Sequence, residues 1–273
     1  MPKLKKIEYK NKDKKKINTN INYKIRKKPF ITIITVVKND KHKILRTLKS
    51  VFKQTYKNFE YIVVDGKSTD GTINILQKNI TKIDHLIIAK DVNMWDAMNK
   101  GIKKSSGSII GILNSGDIFY KNTLKIVKKS FIENDIDYLF GPVKKDRIWY
   151  KFNPEKIFYR FNVYPSHSIG FFISSKVQKK IGLYDIKFNF GADYDLFYRL
   201  FKKTNYKGYL VNKKNVFGNF DMHGYSSKIP FYLSYFYEMK IRYKNKQNII
   251  YLFFLYLIKI LNKFRNILIF YLK

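Results

Sequence analysis

Four short stretches of this 273-residue chain set carboxylates beside small or turn-forming residues, a combination that builds polar sites at strand ends. In Asn114-Ser115-Gly116-Asp117 the acid stands at the tip of an apolar run and faces a site rather than solvent. A hard divalent cation takes oxygen ligands and needs few from the protein when a substrate diphosphate supplies the rest. Asp117 can therefore hold Mn2+ or Mg2+, although a turn with a polar tip uses the same residues. Asp65–Gly71 (DGKSTDG) has glycines for a tight turn and Ser68, Thr69 or Asp70 to cap a following helix. Asp65 is left over from that account and can hydrogen-bond a base or a ribose. Asp91–Gly101 (DVNMWDAMNKG) puts Asp96, Asn99 and Lys100 near a helix start, where Lys100 and the free N–H groups can hold a phosphate. An ordinary amphipathic helix has the same pattern. Asp193 and Asp195 open a further helix; acids there complement the helix dipole, or one faces a cleft and takes a proton from an attacking hydroxyl.

Other chemistries are excluded by what is missing. His42, His85, His167 and His223 form no HxH or HxxxH pair, so no zinc site is implied. His42 and His85 read as structural or surface residues, whereas His167 and His223 sit in Gly/Ser-containing loops and can contact phosphate or metal. With no cysteine the chain has no disulfide, thiolate zinc or cysteine nucleophile. It also lacks GxGxxG, GxxxxGKS and GxSxG, against dinucleotide, P-loop and serine-hydrolase readings.

The elements that must position these residues follow from the apolar pattern. Phe30–Val37 (FITIITVV) and Glu60–Val64 read as strands buried on both faces. Ile44, Leu45, Leu48, Val51 and Phe52 recur at helical spacing between them. The spacing predicts helices over Thr72–Ile80, Trp95–Lys104 and Asn122–Phe131, and strands over His85–Ala89, Ser108–Leu113 and Asp137–Phe140. Such alternation means βαβ units and a mostly parallel sheet with helices on both faces, and ligands of such sheets bind beyond the carboxyl ends of the strands. Lys38-Asn39-Asp40, Asp65–Gly71 and Asn114–Asp117 all follow strands. Farther on, Arg147–Phe152 and Ile169–Ile173 are predicted strands, Lys176–Ile181 and Tyr194–Lys203 helices, and Tyr209–Val211 and Val216–Phe217 edge strands.

Charge is concentrated at the ends. Net charge is +35; residues 1–28 carry twelve Lys/Arg against two acids, and residues 222–273 nine against one. Such a balance attracts polyanions of any kind, although AT-rich codons would produce the same Lys, Ile, Asn and Tyr bias. Residues 1–28 read as a disordered basic arm or a short surface helix, with no secretory signal peptide. Residues 228–273 are aromatic and basic. Ile249–Ile258 is too short an apolar run to span a bilayer, which takes about 20 residues. Helices lying in an anionic membrane interface are expected there, or a helical pair packed on the domain or in a homodimer contact.

Together the motifs FITIITVVKND, SVFKQTYKNFEYIVVDGKSTDGT, MWDAMNKGIKKSSGSIIGILNSGD, GFFISSKVQKKIGLYD and GADYDLFYRL resemble the family 2 glycosyltransferases, inverting enzymes of the GT-A fold. The resemblance spans about Phe30 to Ser227 and is similar to the branch that builds lipopolysaccharide, capsule and other surface glycans. It implies a GT-A (Rossmann-like) mixed, mostly parallel sheet over residues 29–227, with a nucleotide-sugar half at about 29–142 and an acceptor half at about 143–227. It puts Thr35, Val37, Asn39 and Asp65 around the nucleotide, and Asp96 beside the nucleotide-sugar. Asp117 corresponds to the metal-binding end of a DxD-type motif, with Asn114 and Gly116 replacing the usual acids and His223 available to help. Asp193 takes the place of the catalytic base. The implied partners are a nucleotide-sugar donor, a glycan or polyprenyl- or other lipid-linked acceptor, and an anionic membrane surface, with the chain cytoplasmic and peripheral on the inner face. Two rival readings fit less well. A sugar-1-phosphate nucleotidyltransferase wants a Gly-rich loop where Lys38-Asn39-Asp40-Lys41 stands, and a nucleic-acid binder wants its aromatics along a basic groove, so no specific nucleic acid is expected.

Overall fold

Strand β2 (Ile31–Val37) and strand β3 (Phe59–Asp65) are buried at every residue, as their unbroken β-branched composition requires. The computed structural model describes residues 8–9, 30–150, 153–159, 167–203, 205–222 and 230–271. Most of the expected basic arm lies outside them; Glu8–Tyr9 (β1) adds a parallel strand beside β4 (His85–Ile88). The main sheet has the order β1-β4-β3-β2-β5-β10-β7-β11, with β5 at Ile109–Ile112, β7 at Tyr138–Phe140, β10 at Phe171–Ser174 and β11 at Gly208–Leu210. The strands β1 to β5 in it run parallel, whereas β10 is antiparallel to both its neighbours. The expected alternation is thus borne out in the first half, and the second half inserts one reversed strand.

Side-chain alternation along the strands divides the core. Ile34, Val36, Ile62 and Val64 point to the face covered by α3 (Met94–Lys104) and α6 (Ala192–Lys202). Ile31, Ile33, Tyr61 and Val63 point to the face covered by α1 (Ile44–Phe52), α2 (Thr72–Lys78) and α4 (Thr123–Asn134). A fully buried Ile or Val contributes about 1.5–3 kcal/mol, so these rows fix the register. Gly101 lets α3 lie close on β2, since a Cβ there would stand 2.4 Å from Ile34.

A second sheet of order β6-β12-β8-β9 was not foreseen: β6 is Ile118–Phe119, β8 Val143–Lys144, β9 Ile148–Trp149 and β12 Gly218–Asn219. The strand expected over Val216–Phe217 is displaced to β12 and belongs to this sheet, not to an edge of the main one. Its pairing with β6 brings residues 218–222 against the Asp117 loop. Helix α5 (Ser175–Ile181) ends at Gly182 as expected, and α7 (Phe231–Lys244) and α8 (Ile249–Tyr271) complete the chain.

Candidate active site

Three loops meet at the carboxyl ends of β2, β3 and β5. Asn39, with φ +50°, gives its N–H to Ser68 Oγ at 2.8 Å and accepts the Thr69 N–H on Oδ1 at 2.8 Å. Asp40 receives the Ser115 hydroxyl at 2.6 Å, tying the third loop to the first. Asp65 is fully buried and accepts both the N–H and the hydroxyl of Ser68 at 2.7 Å. Burial raises its pKa, with the Ser68 bonds opposing. Both oxygens thus serve the turn. Thr35 is buried and accepts the Tyr61 hydroxyl, and the Val37 carbonyl accepts the Gly66 N–H.

Asp117 is 2% exposed. Its Oδ1 accepts the Asp221 N–H at 2.8 Å, and its Oδ2 has no hydrogen-bond partner among the described residues. Burial, the largest cause, pushes its pKa up to about 7; the adjoining Asp221 carboxylate adds to this, and the Asp221 N–H and Arg46 oppose it. The loop is clamped from α1: Thr47 Oγ1 donates to the Asp117 carbonyl at 2.9 Å, and Arg46 donates to the Gly116 carbonyl at 2.9 Å. Asp221 lies beside it, with Lys43 Nζ at 2.5 Å and Arg46 at 3.5 Å. Asn114 donates to Ser168 Oγ at 3.1 Å, and its own Oδ1 is buried without a partner among the described residues. His167 stacks on Phe220 at 4.1 Å, and burial, then Lys145, lowers its pKa to about 4, so it is neutral at physiological pH. Among the described residues no three His, Asp or Glu side chains converge as a metal cage. The fit to a cation rests on the orphaned Asp117 oxygen and the neighbouring Asp221. His223 lies outside the described residues.

The second acid arrives from the other half. The loop before α6 folds over the start of α3: Asn93 donates to the Ile186 carbonyl at 2.9 Å, Trp95 Nε1 to the Asn189 carbonyl at 3.4 Å, and the Trp95 and Tyr184 rings lie 5.3 Å apart. Since α3 follows β4, α6 begins at the same edge of the sheet as the Asp117 loop. Asp193 is half-buried there, and its Oδ1 accepts the Tyr194 N–H at 2.9 Å. Burial pushes its pKa up to about 6, and no cation opposes the shift. Asp195 differs: fully buried, it accepts from Arg199 at 2.9 Å, Lys244 at 3.0 Å and Asn245 at 2.9 Å. The helix-start acids therefore divide: Asp195 is tied into a structural network, and Asp193 is bonded only by the Tyr194 N–H among the described residues.

Residues 32–201 match the model of the family described as glycosyl transferase family 2. The chain belongs to glycosyltransferase family 2. This family 2 chain is 32% identical over 135 residues to WfgD of Escherichia coli, named as UDP-Glc:alpha-D-GlcNAc-diphosphoundecaprenol beta-1,3-glucosyltransferase, covering 48% of this chain and 53% of WfgD. It thus spans about half of that relative. Its fold is similar to S. aureus TarS in complex with UDP-GlcNAc, with TM-score 0.59, 18% identity, and coverage of 77% of this chain and 66% of that one. It is similar also to the mannosyltransferase PcManGT of Pyrobaculum calidifontis in complex with GDP-Man and Mn2+, with TM-score 0.56, 17% identity, and coverage of 74% and 60%. These likenesses establish the GT-A arrangement as the fold.

In the family 2 chain the remaining expected residues have definite partners. Lys100 donates to Asp96 at 2.9 Å, to the Lys90 carbonyl at 2.8 Å and to Asp91, which occupies all three of its N–H groups. At Asp96 burial is outweighed by Lys100 and the Val92 N–H, which hold its carboxyl below the usual range. Asn99 exchanges both amide groups with the Tyr184 backbone, at 2.8 and 2.9 Å, and so joins α3 to the α6 loop. Sequence reasoning missed Lys43, Arg46, Thr47, Ser168 and Asp221. A signal existed for two of them: Lys43 and Arg46 are three apart at the start of the helix after the first loop. Asp221 sits two residues before His223 but carries no recognisable pattern of its own.

Helix α7 grips the first turn of α6 at Tyr194 and Asp195, directly after Asp193. Arg242, fully buried, donates to the Tyr194 hydroxyl at 2.8 Å, to Glu238 at 3.1 Å and to the Phe158 carbonyl at 3.1 Å. With Lys244 and Asn245 on Asp195, the helix that the sequence put in a separate tail is packed into the domain core, where Ile241 joins the α3–α6 cluster. Helix α8 buries Leu252 but exposes Ile249, Ile250, Phe253, Phe254, Ile258 and Leu261. No helix among the described residues is long and apolar enough to cross a membrane.

Proposed function

We propose that this chain is an inverting glycosyltransferase, moving a sugar from a nucleotide-sugar donor to a hydroxyl of a glycan or a polyprenyl- or other lipid-linked acceptor in surface polysaccharide synthesis. What supports the reading is a pair of acids raised by burial and bonded by no side chain among the described residues, Asp117 after β5 and Asp193 at the start of α6, while Asp91, Asp96, Asp195 and Asp221 stand in ion pairs. Asp193, with its pKa near 6, accepts the proton of the acceptor hydroxyl at neutral pH. The hydroxyl oxygen bonds to the anomeric carbon as the carbon–oxygen bond to the diphosphate breaks, the electron pair leaving with the nucleoside diphosphate and the configuration inverting. Asp117, with Asn114 and the Asn39 loop around it, is the residue that would hold Mn2+ or Mg2+. Bound there, such an ion supplies charge neutralisation for the leaving diphosphate. The name of WfgD, with a diphosphoundecaprenol-linked substrate, supports a lipid-linked acceptor, and the PcManGT complex supports a divalent ion.

The test is slow hydrolysis of a panel of nucleotide sugars with and without Mn2+, joined to thermal shift with UDP, GDP and dTDP. At least one nucleoside diphosphate should raise the melting temperature in a metal-dependent way; none doing so would overturn the reading. The same proposal puts the chain peripherally on the cytoplasmic face of a membrane, with the exposed apolar face of α8 in the interface and Arg265 toward anionic lipid. Phe253→Gln/Phe254→Gln/Ile258→Gln in the full chain should abolish flotation with anionic liposomes. Equal flotation would exclude that anchor, and a loss of dimer on light scattering would assign the face to self-association.

A further inference from the structure

We propose that Asp117 and Asp221 jointly form a divalent-cation site and that Lys43 is an internal cation competing for it. The metal's role in catalysis rests on the transferase reading; the protein's own affinity for the ion does not.

The two carboxylates come from distant parts of the chain and are brought together by design of the backbone. Gly116 has φ +95°, and a Cβ there would stand 2.4 Å from Asp221 Oδ2, so only glycine lets the two loops close. The Asp221 N–H then bonds Asp117 Oδ1 at 2.8 Å. Positive charge around this pair is one-sided. Lys43 lies 2.5 Å and Arg46 3.5 Å from Asp221 Oδ2, whereas the adjoining Asp117, 2% exposed, has no ion pair and an unpartnered Oδ2 among the described residues. Two adjacent acids with one buried oxygen left over form a site that a hard cation completes, with substrate phosphate or water as the other ligands.

The two cations are not equivalent. Arg46 is held by its bond to the Gly116 carbonyl at 2.9 Å, and its guanidinium cannot be deprotonated. Lys43 stands just before α1 with its side chain 34% exposed, on a flexible stem that can swing to solvent. An incoming dication needs Lys43 to leave and leaves Arg46 undisturbed. Lys43 thus holds the acids in register while the ion is absent and sets how tightly the ion binds. The thinned motif, with Asn114 and Gly116 where acids are usual, gains its second carboxylate from Asp221.

The experiment measures Mn2+ binding to the full chain by electron paramagnetic resonance of the free ion, without nucleotide. Lys43→Gln should tighten binding about tenfold by removing a like charge, and Lys43→Arg should stay close to the parent. Asp221→Asn and Asp117→Asn should each weaken it by about ten- to a hundredfold, with circular dichroism confirming that each is folded. Unchanged or weaker binding by Lys43→Gln, or parent-like binding by Asp221→Asn, would overturn the proposal; so would Lys43→Arg behaving like Lys43→Gln. Should Asp221→Asn fail to fold, the two Lys43 variants decide alone. If no nucleoside diphosphate binds while these Mn2+ effects appear, the transferase reading falls and the cation site stands.

Discussion

Replacing Asp193 by Asn should remove catalysis and stabilise the protein at the same time. The Asp193 carboxyl titrates at about 6 in the folded chain, raised by burial from 3.8. A raised carboxyl favours the fold most below the unfolded value, and that contribution is lost as pH rises through the folded one. Between about pH 4 and 6, then, ionisation of Asp193 opposes folding, and above pH 6 the full penalty is present. At 1.36 kcal/mol per tenfold the shift corresponds to about 3 kcal/mol, reduced to about 1–2 kcal/mol by the partial exposure of the side chain. Asparagine keeps an oxygen for the Tyr194 N–H and carries no charge. Its variant should melt about 2–8 °C higher at pH 7.5, and the advantage should vanish near pH 4. Turnover, measured as transfer of labelled sugar to acceptor, should fall by about 10²–10⁴, with donor binding unchanged. In the parent enzyme the rate should rise with pH through about 6, reaching about a tenth of its plateau at pH 5. A lower melting temperature at pH 7.5, or turnover within a few-fold of the parent, would refute the reasoning.

Asp195→Asn should behave in the opposite way: it strips charge from a buried acceptor of three donors, so a loss of about 3 kcal/mol or more is expected in urea unfolding, with per-molecule turnover kept in the folded fraction. Arg242→Met removes the buried ion pair with Glu238 together with the bonds to the Tyr194 hydroxyl and the Phe158 carbonyl and should cost about 3–5 kcal/mol by the same measurement; a Lys at this position, unable to reach all three together, should recover only part. Asp117→Ala should abolish the metal-dependent part of nucleoside-diphosphate binding in calorimetry, and unchanged affinity would refute its role as ligand.

The parallel half of the fold was legible because its signal is local. A run such as Ile31–Val37 is apolar at every position, which only a strand covered on both faces explains, and the polar loop after each such run marks the carboxyl edge. The second sheet was not legible for the opposite reason. Its strands are two residues long, so no period is established, and β12 joins β6 and β8 only through residues about a hundred and about seventy-five positions away. Tertiary contact, not propensity, makes them strands. The C-terminal helices show the same limit: α7 and α8 are both aromatic and basic, yet buried Arg242 locks α7 into the domain while α8 keeps its apolar side outward.

Within the site, residue type and spacing narrowed the candidates but could not rank acids that share a context. Asp193 and Asp195 both lie in the first turn of α6, where the dipole favours either. What separates them is the supply of cations and donors from elsewhere: Arg199, Lys244 and Asn245 converge on Asp195, and none reaches Asp193. Asp65 illustrates the converse, since its position after a buried strand suggested a ligand contact, while Ser68, three residues on, already takes both its oxygens. Lys100 was read as a phosphate ligand because its carboxylate partners are invisible without the α3 turn that gathers Asp91 and Asp96. A carboxylate here is left able to take a proton or a ligand without displacing a partner when burial raises its proton affinity and no side chain bonds it. Asp117, just after β5, and Asp193, in the first turn of α6, meet that condition among the candidates.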